Sequence, residues 1–416
     1  MKAQRGSLAV LFGGLFVVMV GFGVIIPVLP FYVLHFGATS VHLGLLMATY
    51  STMQFIFAPV WGAVSDRIGR KPVLLLGLGG FVVSFTVFAL ATRLWMLFAA
   101  RALAGVLSSA TLPAAMAYIG DVTPEDQRGG GMGLLGAAMG LGMIFGPAIG
   151  GVFSRFGLQA PFAFSAALAA ATLLAGVWLL PESLPGARGL GLRAVGAGGG
   201  PRPKTAPAPA PAPARRVSRW ALASGSLALL FLLAFVVSFA IAGFESTFAL
   251  YLNARLGTGS DQMGLIFTVM GAVAVVAQGL LVSRLIRRLG EDRVARLGLA
   301  LTLAGMALTT RLGSLGSAIL FASIFSLGNS LARPAVSSLV SRKTEVGQGA
   351  ALGTMQSFDS LGRIAGPVWG GVAFRFYPGL PYWTGAAALG LALAASLVWA
   401  PLLAVPAAGG AEGIPR

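Results

Sequence analysis

Two carboxylic acid side chains, Glu245 and Asp359, lie inside long apolar runs of the sequence. An ionised carboxylate at the centre of a bilayer costs on the order of 3 kcal/mol, so each must face a cavity, pair with a cation or remain neutral. Glu245, in AIAGFESTFALYL, has no basic residue within one helical turn. Such a carboxyl can take a proton from one side of a membrane and release it to the other, so we expect Glu245 to exchange protons between two compartments. The alternative is that Glu245 caps a broken outer end of its helix.

Asp359 belongs to a polar stripe on a helix. Gln356, Asp359 and Arg363 share one helix face, at i, i+3 and i+7. Asp359 and Arg363 are four residues apart and could form a buried pair, which suits a structural role as well as a functional one. Arg333, with Asn329 one turn before it, is an alternative partner. We hypothesise that Asp359 and Arg363 tune the proton on Glu245 or contact a ligand. The predicted ligand-binding residues are Gln54, Phe248, Asn329, Arg333, Gln356 and Arg363.

The composition places these acids in a membrane protein. Of 416 residues, 56% are hydrophobic and only 10% are charged, against about 25% charged residues in an ordinary soluble domain. The mean hydropathy is +0.86. The absence of cysteine excludes disulfides, thiol catalysis and cysteine-ligated metals. The sequence also lacks a phosphate-binding G-x-x-x-x-G-K-[ST] loop, which argues against an ATP-driven pump. We therefore expect no enzyme activity, no metal and no cofactor.

Charged residues divide the apolar sequence into runs of about 20 residues, the length that crosses a bilayer. Two spans fit between Arg5 and Asp66, which are separated by uncharged sequence apart from the histidines. The others are predicted at 72–92, 95–119, 131–154, 161–180, 221–251, 261–283, 293–311, 315–340, 348–373 and 381–402. These patterns predict an all-α integral membrane protein with twelve transmembrane helices in two sets of six.

A stretch of different composition separates the two sets. Residues 184–219 contain GLGLRAVGAGGG and APAPAPAPA, typical of flexible and extended spacers respectively. The predicted organisation is an N-terminal six-helix bundle at 1–183, a basic cytoplasmic linker at 184–219, a C-terminal six-helix bundle at 220–402 and a cytoplasmic tail at 403–416. No small-residue cleavage site follows the first apolar run, so we expect no cleaved signal peptide.

The basic residues predict the orientation. With the N-terminus in the cytoplasm, 21 of the 29 Lys and Arg residues fall on the cytoplasmic side and 5 on the opposite side. This topology accounts for the net charge of +17, so a nucleic-acid partner is not needed to explain it. We expect a multi-pass protein of the cell (cytoplasmic) membrane with both termini inside.

A motif repeats between the two sets of helices. GMIFGPAIGG at residues 142–151 and GRIAGPVWGG at residues 362–371 both fit G-x-x-x-G-P-x-x-G-G. The repeat indicates two related halves, as in transporters whose ligand site lies at mid-membrane between them. Glycines at i, i+4 and i+8 allow close helix packing, and the same contact could help to keep one face of the cavity shut. The first copy supplies the motif residues Gly142, Gly146, Pro147, Gly150 and Gly151.

A short basic loop follows the second predicted span, with the sequence GAVSDRIGRK. Asp66 is spaced to pair with Arg70 at i+4. Gly69 permits a tight turn before the third span. The corresponding loop of the second half has Ser283 in place of the acid.

These motifs together resemble those of the major facilitator superfamily, and especially of its twelve-helix drug:proton antiporters. The resemblance implies two pseudo-two-fold-related six-helix bundles. GAVSDRIGRK resembles the family's cytoplasmic conformational latch, and LFAARALAG resembles a fourth-helix motif whose arginine, here Arg101, is implicated in proton coupling. GMIFGPAIGG resembles the fifth-helix antiporter motif, and GFGVIIPVLP resembles the first-helix motif of the same group. The implied latch residues are Gly62, Asp66, Arg67, Gly69, Arg70, Lys71 and Asp121.

We therefore expect a monomeric, proton-coupled exporter of amphipathic small molecules that works by alternating access. One alternative is a proton symporter or uniporter of a defined metabolite such as a sugar or carboxylate, although few polar residues lie in the spans. Another is a non-transporting receptor or scaffold whose basic linker attracts anionic lipid. The expected partners are a small-molecule substrate, protons and the lipid bilayer.

Overall fold

A computed structural model describes residues 2–123, 128–183, 226–344 and 348–398. The predicted linker at 184–219 and the tail at 403–416 lie outside the described residues. Helices dominate the described ranges, and these contain no strand. The high apolar content explains this, because a backbone surrounded by lipid must satisfy its own hydrogen bonds, as a helix does.

Within these described ranges, fourteen α-helices build twelve spans, numbered here in chain order. The first half comprises α1 (Lys2–His35), α2 (Ser40–Ile68), α3 (Arg70–Ala89), α4 (Leu94–Ser108), α5 (Thr111–Val122), α6 (Arg128–Phe153) and α7 (Ala160–Leu179). The second half comprises α8 (Ser226–Leu256), α9 (Ser260–Val276), α10 (Val282–Leu289), α11 (Glu291–Thr309), α12 (Leu315–Lys343), α13 (Gln348–Phe376) and α14 (Leu380–Val398). Helices α4 and α5 together form the fourth span. Helices α9 and α10, joined by a π-helical turn at Ala277–Leu281, form the eighth.

Judged by length and composition alone, ten of the described spans are long and apolar enough to cross a membrane. The ninth span, α11, and the eleventh, α13, fall short because they are more polar. In α11 the first turns contain Asp292 and Arg296, which form an i,i+4 ion pair. In α13 the polar residues include Asp359 and Arg363. The polar character of α13 is compatible with a bilayer because Asp359 is buried within the protein.

Helix packing repeats between the halves. In the first half, spans 1 and 5, 3 and 6, and 2 and 4 pack together. In the second half, spans 7 and 11, 9 and 12, and 8 and 10 form the same pairs, displaced by six. The main contacts between halves also follow this symmetry, since span 2 packs on span 11 and span 5 packs on span 8. The molecule therefore has the two pseudo-two-fold-related bundles that the sequence repeat predicts.

The repeated glycines lie where helices of one half approach most closely. Gly146 faces Gly23 of the first span so closely that a Cβ on Gly146 would lie 2.7 Å from the Gly23 Cα. Gly366 faces Gly243 of the seventh span in the same way, and a Cβ there would lie 3.0 Å from the Gly243 nitrogen. Backbone packs on backbone at both places, so a larger residue has no flexible neighbour to displace.

The last glycine of each motif faces the other half. A Cβ on Gly151 would lie 3.0 Å from the Gly264 Cα in the eighth span. At the matching position, the Gly371 carbonyl accepts a 2.7 Å hydrogen bond from the Ser40 hydroxyl in the second span. An ion pair between Arg155 and Asp261 lies at the same end. The halves are thus in contact at the end of the bundle opposite the loop that joins spans 2 and 3.

A leucine at Gly146 should destabilise the first half. The Gly146→Leu side chain would meet the backbone of Val20 and Gly23, and overpacking of this kind costs about 1–3 kcal/mol. We expect a lower melting temperature in detergent micelles, measured by intrinsic fluorescence. Gly136→Leu on the same helix is the matched control, because nothing lies within 4 Å of a Cβ there. Equal melting temperatures for the two variants would contradict this packing.

Candidate functional site

Glu245 lies in the middle of the unbroken helix α8, so the structure excludes a role as cap of a broken helix end. Its side chain is half-buried between the buried residues Phe244 and Ser246. Its carboxylate accepts no hydrogen bond from the residues that the structure describes. Arg363 and Arg333 of the neighbouring spans act on it electrostatically. A carboxyl with nearby cations but no fixed hydrogen-bond partner can gain and lose a proton without breaking a bond.

Asp359 has a different environment, and of the two partners that the sequence left open for it, the structure shows Arg333. The Asp359 carboxylate pairs with Arg333 of the tenth span, and its other oxygen accepts a hydrogen bond from the Ser238 hydroxyl of the seventh span. The predicted i,i+4 partner, Arg363, makes no such bond in the described structure. The pair with Arg333 forms because spans 7, 10 and 11 meet at this depth, which places the Arg333 guanidinium against Asp359. Asp359 is only 4% exposed and its charge is fully compensated.

Arg363 lies one turn beyond Asp359 on the eleventh span. Its side chain is half-buried, and no hydrogen bond or ion pair joins it to another described residue. It acts electrostatically on both Glu245 and Arg333. Four charged groups from three spans therefore form one cluster in the second half, called here the charge cluster: Glu245, Arg333, Asp359 and Arg363.

Arg101 is not part of the charge cluster. It is 1% exposed, between the second and fourth spans of the first half. Its Nε donates to the Leu46 carbonyl at 3.4 Å, and its guanidinium lies over the Tyr50 ring, 4.8 Å from the ring centroid. Its Nη1 has no hydrogen-bond partner among the described residues. Arg101 thus lies in the other half from Glu245 and Asp359, the two further residues predicted to take part in proton coupling.

The predicted ligand-binding residues have different environments. Gln356 and Arg333 line a cleft with Asp359, whose other walls are apolar. Asn329 is half-buried, and its side-chain oxygen lacks a hydrogen-bond partner in the described structure. Gln54 lies in the first half, where its amide is 3.4 Å from the Tyr50 hydroxyl.

The prediction for Phe248 was wrong. Phe248 is fully buried, and its ring stacks on Phe244 with centroids 4.4 Å apart and meets the edge of Phe267. It is therefore part of the core of the second half and does not line a cleft. Large apolar side chains occur on every face of the seventh span, so its sequence does not show which of them are turned to the core.

The loop after the second span forms a compact ionic cluster around Arg70. The Arg70 Nη1 lies 2.5 Å from Asp66, as the i,i+4 spacing predicts, and its Nε lies 3.1 Å from Asp121 at the end of the fourth span. Ser65 accepts a further hydrogen bond from Arg70. Arg67 is exposed, while the Lys71 ammonium donates to the Val177 carbonyl at 2.9 Å.

The two glycines of this loop differ. Gly69 has a φ of 105°, in the region that favours glycine, and forms the turn between α2 and α3. A Cβ on Gly62 would have nothing within 4 Å, so its local packing does not require a glycine.

Glu182, which no sequence pattern indicated, completes this ionic cluster. Its carboxylate accepts hydrogen bonds from the backbone nitrogens of Arg70 and Lys71, at 2.9 and 3.2 Å. An acid there stabilises the N-terminus of α3, where free N–H groups and the helix dipole favour negative charge. Ser183 next to it donates to Asp121. The available signal was an acid directly after the sixth span, but its target lies more than a hundred residues earlier.

A sequence profile of the Major Facilitator Superfamily matches the chain twice, at residues 11–257 and 230–415. The chain belongs to the major facilitator superfamily. It is therefore a multi-pass membrane transporter of small-molecule substrates rather than an enzyme.

Two bacterial relatives of this superfamily align over most of their length. Multidrug resistance protein 2 of Bacillus subtilis (strain 168) is 29% identical over 95% of this chain and 96% of its own. Tetracycline resistance protein, class C, of Escherichia coli is 31% identical over 88% of this chain and 89% of its own. The crystal structure of the human organic anion transporter MFSD10 (TETRAN) superimposes with a TM-score of 0.65 and 24% identity, covering 96% of this chain and 99% of that one. At this sequence identity, the similarity to the human transporter supports the fold alone.

Removal of the Arg70 guanidinium should destabilise the first half. Arg70→Gln leaves the carboxylate of Asp121 without its cation, and a charge-assisted hydrogen bond contributes about 1.5–3 kcal/mol. We expect a melting temperature several degrees lower than that of the unmodified protein. Arg67→Gln removes the same charge from an exposed position of the same loop and should have little effect. A fall of the same size in both variants would show that only the net charge of the loop matters.

Proposed function

We propose that the protein exports amphipathic small molecules from the cell in exchange for protons, by alternating access. The main observation behind this proposal is Glu245, a half-buried carboxyl in the apolar seventh span, with two arginines nearby and no fixed hydrogen bond. The bacterial relatives are resistance proteins for multiple drugs and for tetracycline. Export of such compounds needs an energy source, and Glu245 offers a route for protons to supply it.

Glu245 suits proton coupling better than Asp359 does. Asp359 is held by Arg333 and Ser238, so protonation would break an ion pair inside the bundle. Breaking a buried pair on one side costs about 3–5 kcal/mol. Glu245 has no bond of this kind to lose, so the proton is assigned to Glu245, and Asp359 positions Arg333.

One proton is sufficient to drive useful export. Entry of one proton down a potential of about 100 mV and a gradient of about one pH unit releases roughly 3.7 kcal/mol. For a neutral substrate exchanged one for one, this free energy sustains a gradient of several hundred-fold.

The contacts between the halves support alternating access. The two bundles touch through Gly151 with Gly264 and through Ser40 with Gly371, all at the end opposite the Arg70 cluster. If the Arg70 cluster lies in the cytoplasm, as the distribution of basic residues favours, this conformation is closed to the outside. Rocking of the two bundles about the charge cluster would then open the outer end, and the ionic cluster at Arg70 would act as the latch of the inner end.

Glu245→Gln should abolish proton-driven transport and preserve substrate binding. The amide retains the size of the side chain but cannot release a proton. We expect no pH-gradient-driven uptake of a fluorescent cationic dye into inside-out proteoliposomes, with an unchanged dye affinity. Asp292→Asn, which removes an acid that pairs with Arg296 of its own helix at the start of the ninth span, should transport normally. Full gradient-driven transport by Glu245→Gln would rule out the assigned role.

The orientation can be tested directly because the chain has no cysteine. Leu289→Cys places a thiol at an exposed position at the same end as Arg70, and Gly313→Cys places one in the exposed turn between α11 and α12. A membrane-impermeant maleimide should label Gly313→Cys in intact cells and Leu289→Cys only after permeabilisation. The opposite labelling pattern would place the N-terminus outside.

A further inference from the structure

Two of the four members of the charge cluster, Arg333 and Asp359, already compensate each other's charge. Arg333 pairs with Asp359, and Ser238 donates to the same carboxylate. Glu245 and Arg363 remain, both half-buried and both without a hydrogen bond to a described residue. Each acts electrostatically on the other. An acid and a base that do not contact each other inside an apolar bundle can each be compensated by a ligand that carries the complementary charges.

Helix packing places these two groups at different depths. Spans 7 and 11 run side by side, with Gly362 against Ser238, and Gly366 against Phe239 and Gly243. In this register Arg363 lies beside Ser238, seven residues before Glu245. At a rise of 1.5 Å per residue, the α-carbons of Glu245 and Arg363 are separated by about 10 Å along the bundle.

We propose, on the basis of the proposed function, that the substrate is an amphipathic zwitterion with its charges at opposite ends. Its basic nitrogen binds Glu245, and its acidic group binds Arg363. The apolar body between them lies along spans 7 and 11 and covers the difference in depth between the two groups.

This class of ligand fits the exchange with protons. A substrate ammonium group and a proton compete for the Glu245 carboxylate, so binding of one releases the other. A purely anionic substrate would bind Arg363 best when Glu245 is protonated, and it would then move in the same direction as the proton. A purely cationic substrate would bind Glu245 but leave Arg363 without a counter-charge. The zwitterion is the ligand that both competes with the proton and satisfies both groups.

Four related biphenyl compounds test the proposal in binding measurements by calorimetry, with the full chain in nanodiscs. The probe is 4′-(aminomethyl)biphenyl-4-carboxylic acid, which has a rigid body and charges at opposite ends. Its methyl ester is a cation, its N-acetyl derivative is an anion, and 4-phenylphenylalanine has the same rings with adjacent charges. We expect the probe to bind at least tenfold more tightly than each of the other three. If the unmodified protein binds the probe and 4-phenylphenylalanine with equal affinity, the proposal is overturned.

Variants at Arg363 test the assignment of the acidic group. Arg363→Gln should weaken binding of the probe about tenfold or more and leave binding of the methyl ester unchanged. Arg363→Lys should restore most of the preference, and Arg375→Gln, which removes an exposed charge from the same helix, should leave it intact. An equal loss for probe and ester, or no loss for either, would overturn the assignment.

A transport measurement separates this inference from the proposed function. If the methyl ester is exchanged for protons, but Arg363→Gln does not change the preference for the probe over the ester, proton-coupled export stands and the zwitterion proposal fails. If none of the four compounds is exchanged for protons but the preference for the zwitterionic probe depends on Arg363, the binding site stands and proton-coupled export fails.

Discussion

An ionised side chain in an apolar environment costs several kcal/mol unless an opposite charge or a hydrogen bond compensates it, and this cost determines where the charges of the molecule lie. Most of the basic residues are at the ends of the helices. Within the second half, Arg333 and Asp359 meet this requirement together, with Ser238 as a third partner. Glu245 and Arg363 have no hydrogen bond or ion pair with a described residue, and for this reason the proposed mechanism assigns the proton and the ligand to them.

The two halves share a fold but divide the chemistry. The repeated glycine motif packs span 5 on span 1 and span 11 on span 7 in the same manner. The charge cluster, however, lies in the second half alone, and the ionic cluster of Arg70, Asp66, Asp121 and Glu182 lies in the first. In the proposed mechanism the second half would respond to protons and ligand, while the first half would hold one conformation at its loop end.

Local patterns in the sequence were sufficient for the architecture. The spans follow from the length of apolar runs, the packing faces follow from glycines four residues apart, and the Asp66–Arg70 pair follows from one helical turn. Local spacing could not decide between the two candidate partners of Asp359, because Arg333 is on another helix and 26 residues away. The prediction for Phe248 failed because large apolar side chains occur on every face of its helix, so their pattern does not distinguish core from cavity. Glu182 was missed because its contact depends on where two distant helix ends meet.

The seal between the halves is made largely of main chain. Gly151 and Gly371, at equivalent positions of the duplicated motif, each bring the peptide backbone of one bundle against the other. Such a joint has few rotamers to order and little side-chain surface to dehydrate each time it forms, so it can part and re-form at low cost. It also involves none of the side chains to which the proposed mechanism assigns ligand binding. Changes of specificity can therefore accumulate in the cleft over evolutionary time while the moving joint stays the same.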